Sequence, residues 1–166
     1  MESTDLGKRV CAQFLRLSPN PMVVKANRQS GKTQLVWMLA AKLVPTHRVC
    51  IVSSCRREAK FCLQEVANLL PGSEIAGDCV KFGSGWVHSG VKVVDADILL
   101  VDDVAYMDPT TFFDEVVPWL GNKSTLLIGT PSGNTHNILA RMCRLKDKEG
   151  AHLLHVINAT QRGSSL

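Results

Sequence analysis

Several common signals are missing from this sequence of 166 residues. No Cys-x-x-Cys pair occurs among its six cysteines, Cys11, Cys50, Cys55, Cys62, Cys79 and Cys143. The histidines (His47, His88, His136, His152 and His155) do not stand beside them at zinc-finger spacing either, which argues against a structural metal. A disulfide framework is equally out of place. A chain this long and this apolar can build a core unaided, and most of its cysteines sit in apolar runs, as buried thiols do. We therefore expect an intracellular protein in reducing surroundings. No apolar stretch is long enough for a membrane span: Leu35 to Val44, the most apolar helix-like segment, is about half the required length and carries Lys42. Met1 to Gly7 is polar and acidic, unlike a secretory signal. Repeats, low-complexity tracts and interdomain linkers are absent, which leaves one domain with one core.

Strong charge is missing too. The formal net charge is +4 and the pI is near 8.8, compatible with an anionic partner and with none. Apolar residues make up 45% and charged residues 20%, ordinary for a folded globular chain.

What is present is an alternation of short apolar runs with amphipathic stretches. Leu6, Val10, Phe14 and Leu17 recur at helical spacing and predict an opening helix, stopped by Ser18-Pro19-Asn20-Pro21. Buried strands are expected at Met22 to Ala26, Val49 to Ser53, Ile98 to Val101, Ser124 to Gly129 and Leu153 to Ile157. Helices are expected at Lys32 to Val44, with Leu35, Val36, Leu39 and Leu43 inward, and at Arg56 to Leu70, with Ala59, Cys62, Val66 and Leu69 inward. Two more follow, from Pro109 to about Leu120 and from Thr135 to Arg144. Between Cys79 and Val94, Gly83, Gly85 and Gly90 punctuate β-like pieces that read as a hairpin or a small excursion from the sheet. Strands apolar on both faces and alternating with helices imply a mostly parallel sheet covered on both sides.

Three segments carry chemistry. Ala26-Asn27-Arg28-Gln29-Ser30-Gly31-Lys32-Thr33 lies between a strand and a helix and matches the phosphate loop, the Walker A motif, except for Ala26 at the first glycine. A methyl there is tolerable if its backbone angles stay in an ordinary region. Loop amides and the helix N-terminus would face the phosphates, Lys32 would contact the outer ones, and the Thr33 hydroxyl would ligate Mg²⁺. Ile98-Leu99-Leu100-Val101-Asp102-Asp103 is an apolar strand delivering two carboxylates, the Walker B pattern. Asp102 would hold Mg²⁺, and Asp103 would polarise the attacking water, one methylene shorter than the usual glutamate. Leu126-Leu127-Ile128-Gly129-Thr130-Pro131-Ser132-Gly133 ends a strand where ligands bind in open α/β sheets. Thr130 there reads either as a sensor of the γ-phosphate or as part of a plain Pro-Ser-Gly turn. The expected fold is a three-layer α/β P-loop NTPase with a mostly parallel sheet.

Taken together, Asn27-Arg28-Gln29-Ser30-Gly31-Lys32-Thr33, Leu100-Val101-Asp102-Asp103 and Gly129-Thr130-Pro131-Ser132-Gly133 resemble the ATPase domain of the viral terminase large subunit, the DNA-packaging motor of tailed bacteriophages and herpesviruses. Its phosphate loops often lack the first glycine and carry an arginine where Arg28 stands. Tyr106-Met107-Asp108-Pro109, with a helix behind it, looks like the stretch after the acidic pair in that family. The likeness spans roughly Met22 to Arg141.

The resemblance implies an ATPase that hydrolyses ATP with Mg²⁺ to translocate double-stranded DNA during viral genome packaging. Lys32, Arg28 and Asp103 would be catalytic; Ala26, Asn27, Gln29, Ser30, Gly31, Lys32 and Thr33 would bind nucleotide; and Thr130 would couple hydrolysis to movement. By the same carry-over Gln13 would contact adenine, whereas on the sequence alone it reads as an exposed helical glutamine. A homo-oligomeric ring, a portal or capsid, a small terminase subunit and no membrane are the implied partners. The setting would be the host nucleus for a herpesvirus-like protein and the host cytoplasm for a phage-like one. Asp103 stands in place of the family's glutamate, and the interval between the Walker motifs is short. The family's RNase H-like nuclease has no room in this length. We expect a single domain over 1–166, with a helix and lead-in over 1–21, a core over 22–158 and a tail over 159–166, and the nuclease domain absent.

Two other readings compete. One is a superfamily 1 or 2 helicase-like ATPase core, which shares the sheet and the motifs. The other is a weakly hydrolysing nucleotide-binding interaction module, toward which Ala26 and Asp103 point. Arg56-Arg57 with Lys60 reads first as a solvated helix face, with DNA phosphates as the alternative. Trp37, Trp86 and Trp119 read as core or subunit-contact residues rather than base-stacking platforms.

Overall fold

A computed structural model describes residues 2–17, 21–27, 32–120, 122–132, 134 and 136–158. The chain opens with helix α1 (Glu2–Leu17), strand β1 (Met22–Lys25), helix α2 (Lys32–Leu43), strand β2 (Arg48–Val52) and helix α3 (Arg56–Leu69). Strands β3 (Glu74–Ala76), β4 (Cys79–Phe82), β5 (Gly85–Gly90) and β6 (Ile98–Val101) follow. The order ends with helix α4 (Pro109–Thr111), strand β7 (Ser124–Gly129), helix α5 (Ile138–Arg144) and strand β8 (His155–Asn158).

The strands form one sheet in the order β3-β4-β5-β2-β6-β7-β1-β8. From β5 to β8 every neighbouring pair is parallel, and only β3, β4 and β5 pair antiparallel. Alternation of side chains along each strand divides the interior in two. Val24, Ile51, Leu100, Leu126 and Ile128 pack against Val10 and Phe14 of α1, Leu35 and Leu39 of α2, and Leu63 and Val66 of α3. Val23, Cys50, Val52, Leu99, Val101 and Leu127 point the other way, onto Phe112, Val116, Ile138, Leu139 and Met142. The result is the expected three layers, and it explains why the central strands are apolar throughout: both of their faces are covered.

Several sequence expectations need correction. Of the two readings of the Cys79 to Val94 segment the hairpin holds, and the excursion from the sheet does not. The β4–β5 hairpin extends the sheet, because β5 pairs in parallel with β2, Cys50 opposite His88. Gly85 makes that join possible, since a methyl there would collide with the carbonyls of Val44 and His47. Leu69 is 47% exposed, and Leu70 takes its place at 7%, because the chain leaves the helix there and turns inward.

The helix expected from Pro109 to Leu120 is irregular. Asp108 caps it by accepting from the Thr111 amide at 3.0 Å. It then widens to a π turn over Phe112–Val116 and tightens to a 3₁₀ turn over Val117–Trp119. Pro118 cannot donate to a carbonyl one turn back, and its ring crowds that carbonyl, so α geometry does not run through it. Helix α5 starts at Ile138, later than expected, where the Asn137 side chain accepts from the Ala140 amide at 2.8 Å. The last strand lies at His155–Asn158, one to two residues beyond the expected span.

The tryptophans match their expectation: Trp37 packs against the α1–α3 core, and Trp86 and Trp119 against the opposite one. No described helix is long and apolar enough to cross a membrane.

Candidate active site

Strand order builds this site. The strand leading into the phosphate loop (β1) and the strand ending in the acidic pair (β6) are not neighbours; β7 runs between them, parallel to both. All three therefore deliver their C-terminal residues to one edge of the sheet. The register pairs Lys25 with Gly129 and Val101 with Leu127, so the three ends stop within two residues of one another.

On the loop side, Ala26 is fully buried in the α1–α3 core, and its amide donates to the Gly129 carbonyl at 3.0 Å. Its φ is not positive: Asp103 is the sole described non-glycine residue with a positive φ. Ala26 thus satisfies the condition under which a methyl can replace the loop's first glycine, and its side chain anchors the loop in the core. Asn27 follows as an exposed residue, and Lys32 opens α2 with Thr33, half-buried, in its first turn. Arg28, Gln29, Ser30 and Gly31 lie outside the described residues.

The acidic side departs from ordinary strand geometry. Asp102 is 4% exposed, and its amide donates to the Val52 carbonyl at 2.9 Å, prolonging the β2–β6 ladder by one rung. Asp103 then turns left-handed (φ 52°, ψ 52°) and breaks the ladder, so the chain enters a 3₁₀ turn over Val104–Tyr106. The Tyr106 amide donates to the Asp103 carbonyl at 2.9 Å. Aspartate is among the few non-glycine residues that tolerate this conformation well.

Thr130 follows Gly129 between the two sides. It is half-buried, and its hydroxyl oxygen is buried without a hydrogen-bond partner among the described residues. A buried polar group in that state is costly unless something satisfies it, and here it stands at the ligand edge of the sheet. The sequence left Thr130 open between sensor and plain turn; the structure adds that its hydroxyl oxygen is buried at this edge.

Gln13 of α1 is half-buried, and its side-chain oxygen lies 3.0 Å from Nε2 of His155 at the start of β8. It is therefore tied to the far strand of the sheet and is not a free surface glutamine. Arg56, Arg57 and Lys60 are exposed at the start of α3, as a solvated helix face would be.

The sequence did not reveal a layer beneath the acidic strand. Ser53 is buried at the end of β2, its hydroxyl 4.0 Å from the thiol of Cys62, and the Trp37 indole donates to that same thiol at 3.3 Å. Burial pushes the Cys62 thiol up to about 11, against the pull of the indole bond, and the charge of Asp102 adds to the rise. No local motif announces this contact, because Ser53, Cys62 and Trp37 come from three different elements.

No group of three or more His, Cys, Asp or Glu that could hold a metal occurs among the described residues. The Thr33 hydroxyl and the Asp102 carboxylate are hard oxygens of the kind that would hold Mg²⁺.

At the level of sequence, no protein-family model and no curated protein matches the chain. Solved structures do match it. The ATPase domain of the large terminase of Thermus phage P74-26 superposes with a TM-score of 0.66 at 16% identity, over 90% of this chain and 79% of that one. A point variant of the same domain gives 0.64 at 15%, over 90% and 80%. The large terminase of a thermophilic bacteriophage, solved with ATP-γ-S, gives 0.65 at 14% identity. That match covers 93% of this chain and 44% of that one, so the chain spans less than half of that terminase. The fold of this chain is that of the phage large-terminase ATPase domains.

Proposed function

We propose that the chain is the ATPase motor domain of a terminase large subunit, hydrolysing ATP with Mg²⁺ to drive double-stranded viral DNA into a capsid. The observation that supports this most directly is the strand order β6-β7-β1, with Thr130 between the acidic pair and the phosphate loop. One neighbour's complex with ATP-γ-S supports nucleotide as the ligand.

In this reading Lys32 and the loop residues Asn27 to Gly31 hold the phosphates, and Arg28 senses or stabilises the γ-phosphate charge. Thr33 and Asp102 hold Mg²⁺, which when bound neutralises phosphate charge. Asp103 polarises the attacking water, and Thr130 relays the state of the γ-phosphate to the β7–α5 connection. Gln13 contacts the adenine. A ring of copies acts on DNA at a portal, with a small subunit assisting, in the host cytoplasm if the virus is a phage and in the host nucleus if it is herpesvirus-like.

The test is Lys32→Ala in purified protein. It should weaken Mg-ATP binding and lower phosphate release by at least about 100-fold. Unchanged affinity and turnover would end the proposal. Strand unwinding by the isolated chain would instead favour a helicase core.

A further inference from the structure

On the sheet face away from α1, α2 and α3, the end of β1 and the β7–α5 connection enclose a cleft of about 190 Å³. Lys25 reaches this face because Val23, two residues earlier, points to the same core as α5. The polar lining is Lys25, Ser132, Asn134, Asn137, Cys143 and Arg144, with no carboxylate.

The short polar side chains are committed to the shape of the connection. The Ser132 hydroxyl accepts from the Asn134 amide and from the Asn137 side chain, both at 3.2 Å. Asn134 accepts from the His136 amide at 2.9 Å, and Asn137 caps α5. The two cations are not committed. Neither the Lys25 nor the Arg144 side chain makes a hydrogen bond or ion pair with a described residue. Both act on the Cys143 thiol, which burial raises and these two charges pull back down, so both lie within electrostatic reach of one sulfur. Two like charges converging on one small cleft, with no acid to offset them, repel each other and favour a bound anion.

We propose that this cleft binds a phosphate group, gripped by the planar fork of Arg144 and the point charge of Lys25. The chemistry has two sources, a backbone phosphodiester of duplex DNA and free inorganic phosphate. Only the choice of the first rests on the DNA-translocating reading above. The position gives such contact a consequence. Lys25 immediately precedes the phosphate loop, and Ser132 lies two residues beyond Thr130, so a phosphate held here bears on the backs of both segments.

The experiment uses the full chain and reads the alkylation rate of Cys143 by peptide-resolved mass spectrometry, with exposed Cys55 as internal reference. A phosphate in the cleft covers the thiol and disfavours its thiolate. Inorganic phosphate or a short duplex, at about ten times its dissociation constant, should slow Cys143 roughly tenfold relative to Cys55. Arg144→Gln and Lys25→Gln should each abolish the protection. Protection by duplex that inorganic phosphate does not reproduce identifies the phosphodiester; protection by inorganic phosphate alone identifies the free anion. Where duplex protects Cys143, its affinity should also fall in both variants, with the salt slope reduced by about 1 for each. Unslowed Cys143 with both ligands, or protection that survives both substitutions, would overturn the site. Because no ATP is present, a failure of Lys32→Ala to affect turnover would leave this result standing.

Discussion

Asp103 shows how one residue's backbone constrains its chemistry. Its left-handed conformation follows directly on a buried strand. Glycine, asparagine and aspartate accept that region at little cost, and longer side chains less readily. The aspartate is therefore suited to the fold as well as to a carboxylate's role. Asp103→Glu, which would restore the terminase pattern, should lower stability by about 1 kcal/mol in urea unfolding and bring no gain in turnover. Asp103→Asn should leave stability within about 0.5 kcal/mol and nucleotide affinity intact while cutting phosphate release by at least about 100-fold. Equal turnover in Asp103→Asn and the parent would remove Asp103 from the chemistry.

The two buried thiols give a pH signature at the same scale. Burial raises both Cys50 and Cys62 from 9.0 to about 11. A thiol whose folded value lies above its unfolded one favours the folded state at low pH. That contribution is complete below about pH 9 and is lost as pH rises through 11. The loss is of the order of 3 kcal/mol per thiol at most. Between pH 9 and 11 the parent should lose stability more steeply than a Cys50→Ala, Cys62→Ala double variant. Parallel pH profiles would show that the thiols are not responsible.

At the scale of elements, the joint between the β4–β5 hairpin and the β2 side of the sheet depends on Gly85. Its missing side chain leaves room for the carbonyls of Val44 and His47. Gly85→Ala has only backbone to push against, so it should cost about 2 kcal/mol or more and shift the urea midpoint without changing the slope. Gly72→Ala is the comparison: φ is +88° but the space is open, so about 1 kcal/mol of backbone strain is expected. Near-equal costs would mean that close approach does not govern Gly85.

The elements themselves were largely legible. Strands β1, β2, β6 and β7 were readable because each is a short apolar run bounded by breakers. Two features escaped for identifiable reasons. The widening at Phe112–Val116 lies directly before the 3₁₀ turn that holds Pro118, and apolar spacing alone carries no sign of it. The parallel β5–β2 pairing joins segments separated by the whole of α3, so no local pattern marks it.

At the scale of the whole molecule, ligand binding and stability are linked. If the edge of the sheet binds Mg-ATP, nucleotide at 100 times its dissociation constant should add about 2.7 kcal/mol to unfolding and raise the melting temperature. Lys32→Ala should abolish that rise in a thermal scan while leaving the nucleotide-free melting temperature within a degree or two, because alanine is the better helix former and keeps the first turn of α2. A nucleotide-dependent rise preserved in Lys32→Ala would separate binding from the phosphate loop.

The sequence by itself determined the two-sided strands, the order of helices and strands, and the segments that carry the phosphate-loop and acidic-strand patterns. Those features depend on residues a few positions apart, where spacing, charge and chain stiffness act locally. Only the tertiary structure decided that β7 lies between the loop strand and the acidic strand, bringing Thr130 to the same edge of the sheet as both. It also decided that Ala26 keeps an ordinary backbone, that Asp103 turns left-handed, and that Lys25 and Arg144 share a cleft. Strand order follows from which face each crossover covers, and each of these contacts joins segments far apart in the chain. Their energy resides in packing between elements, which no local run of sequence displays.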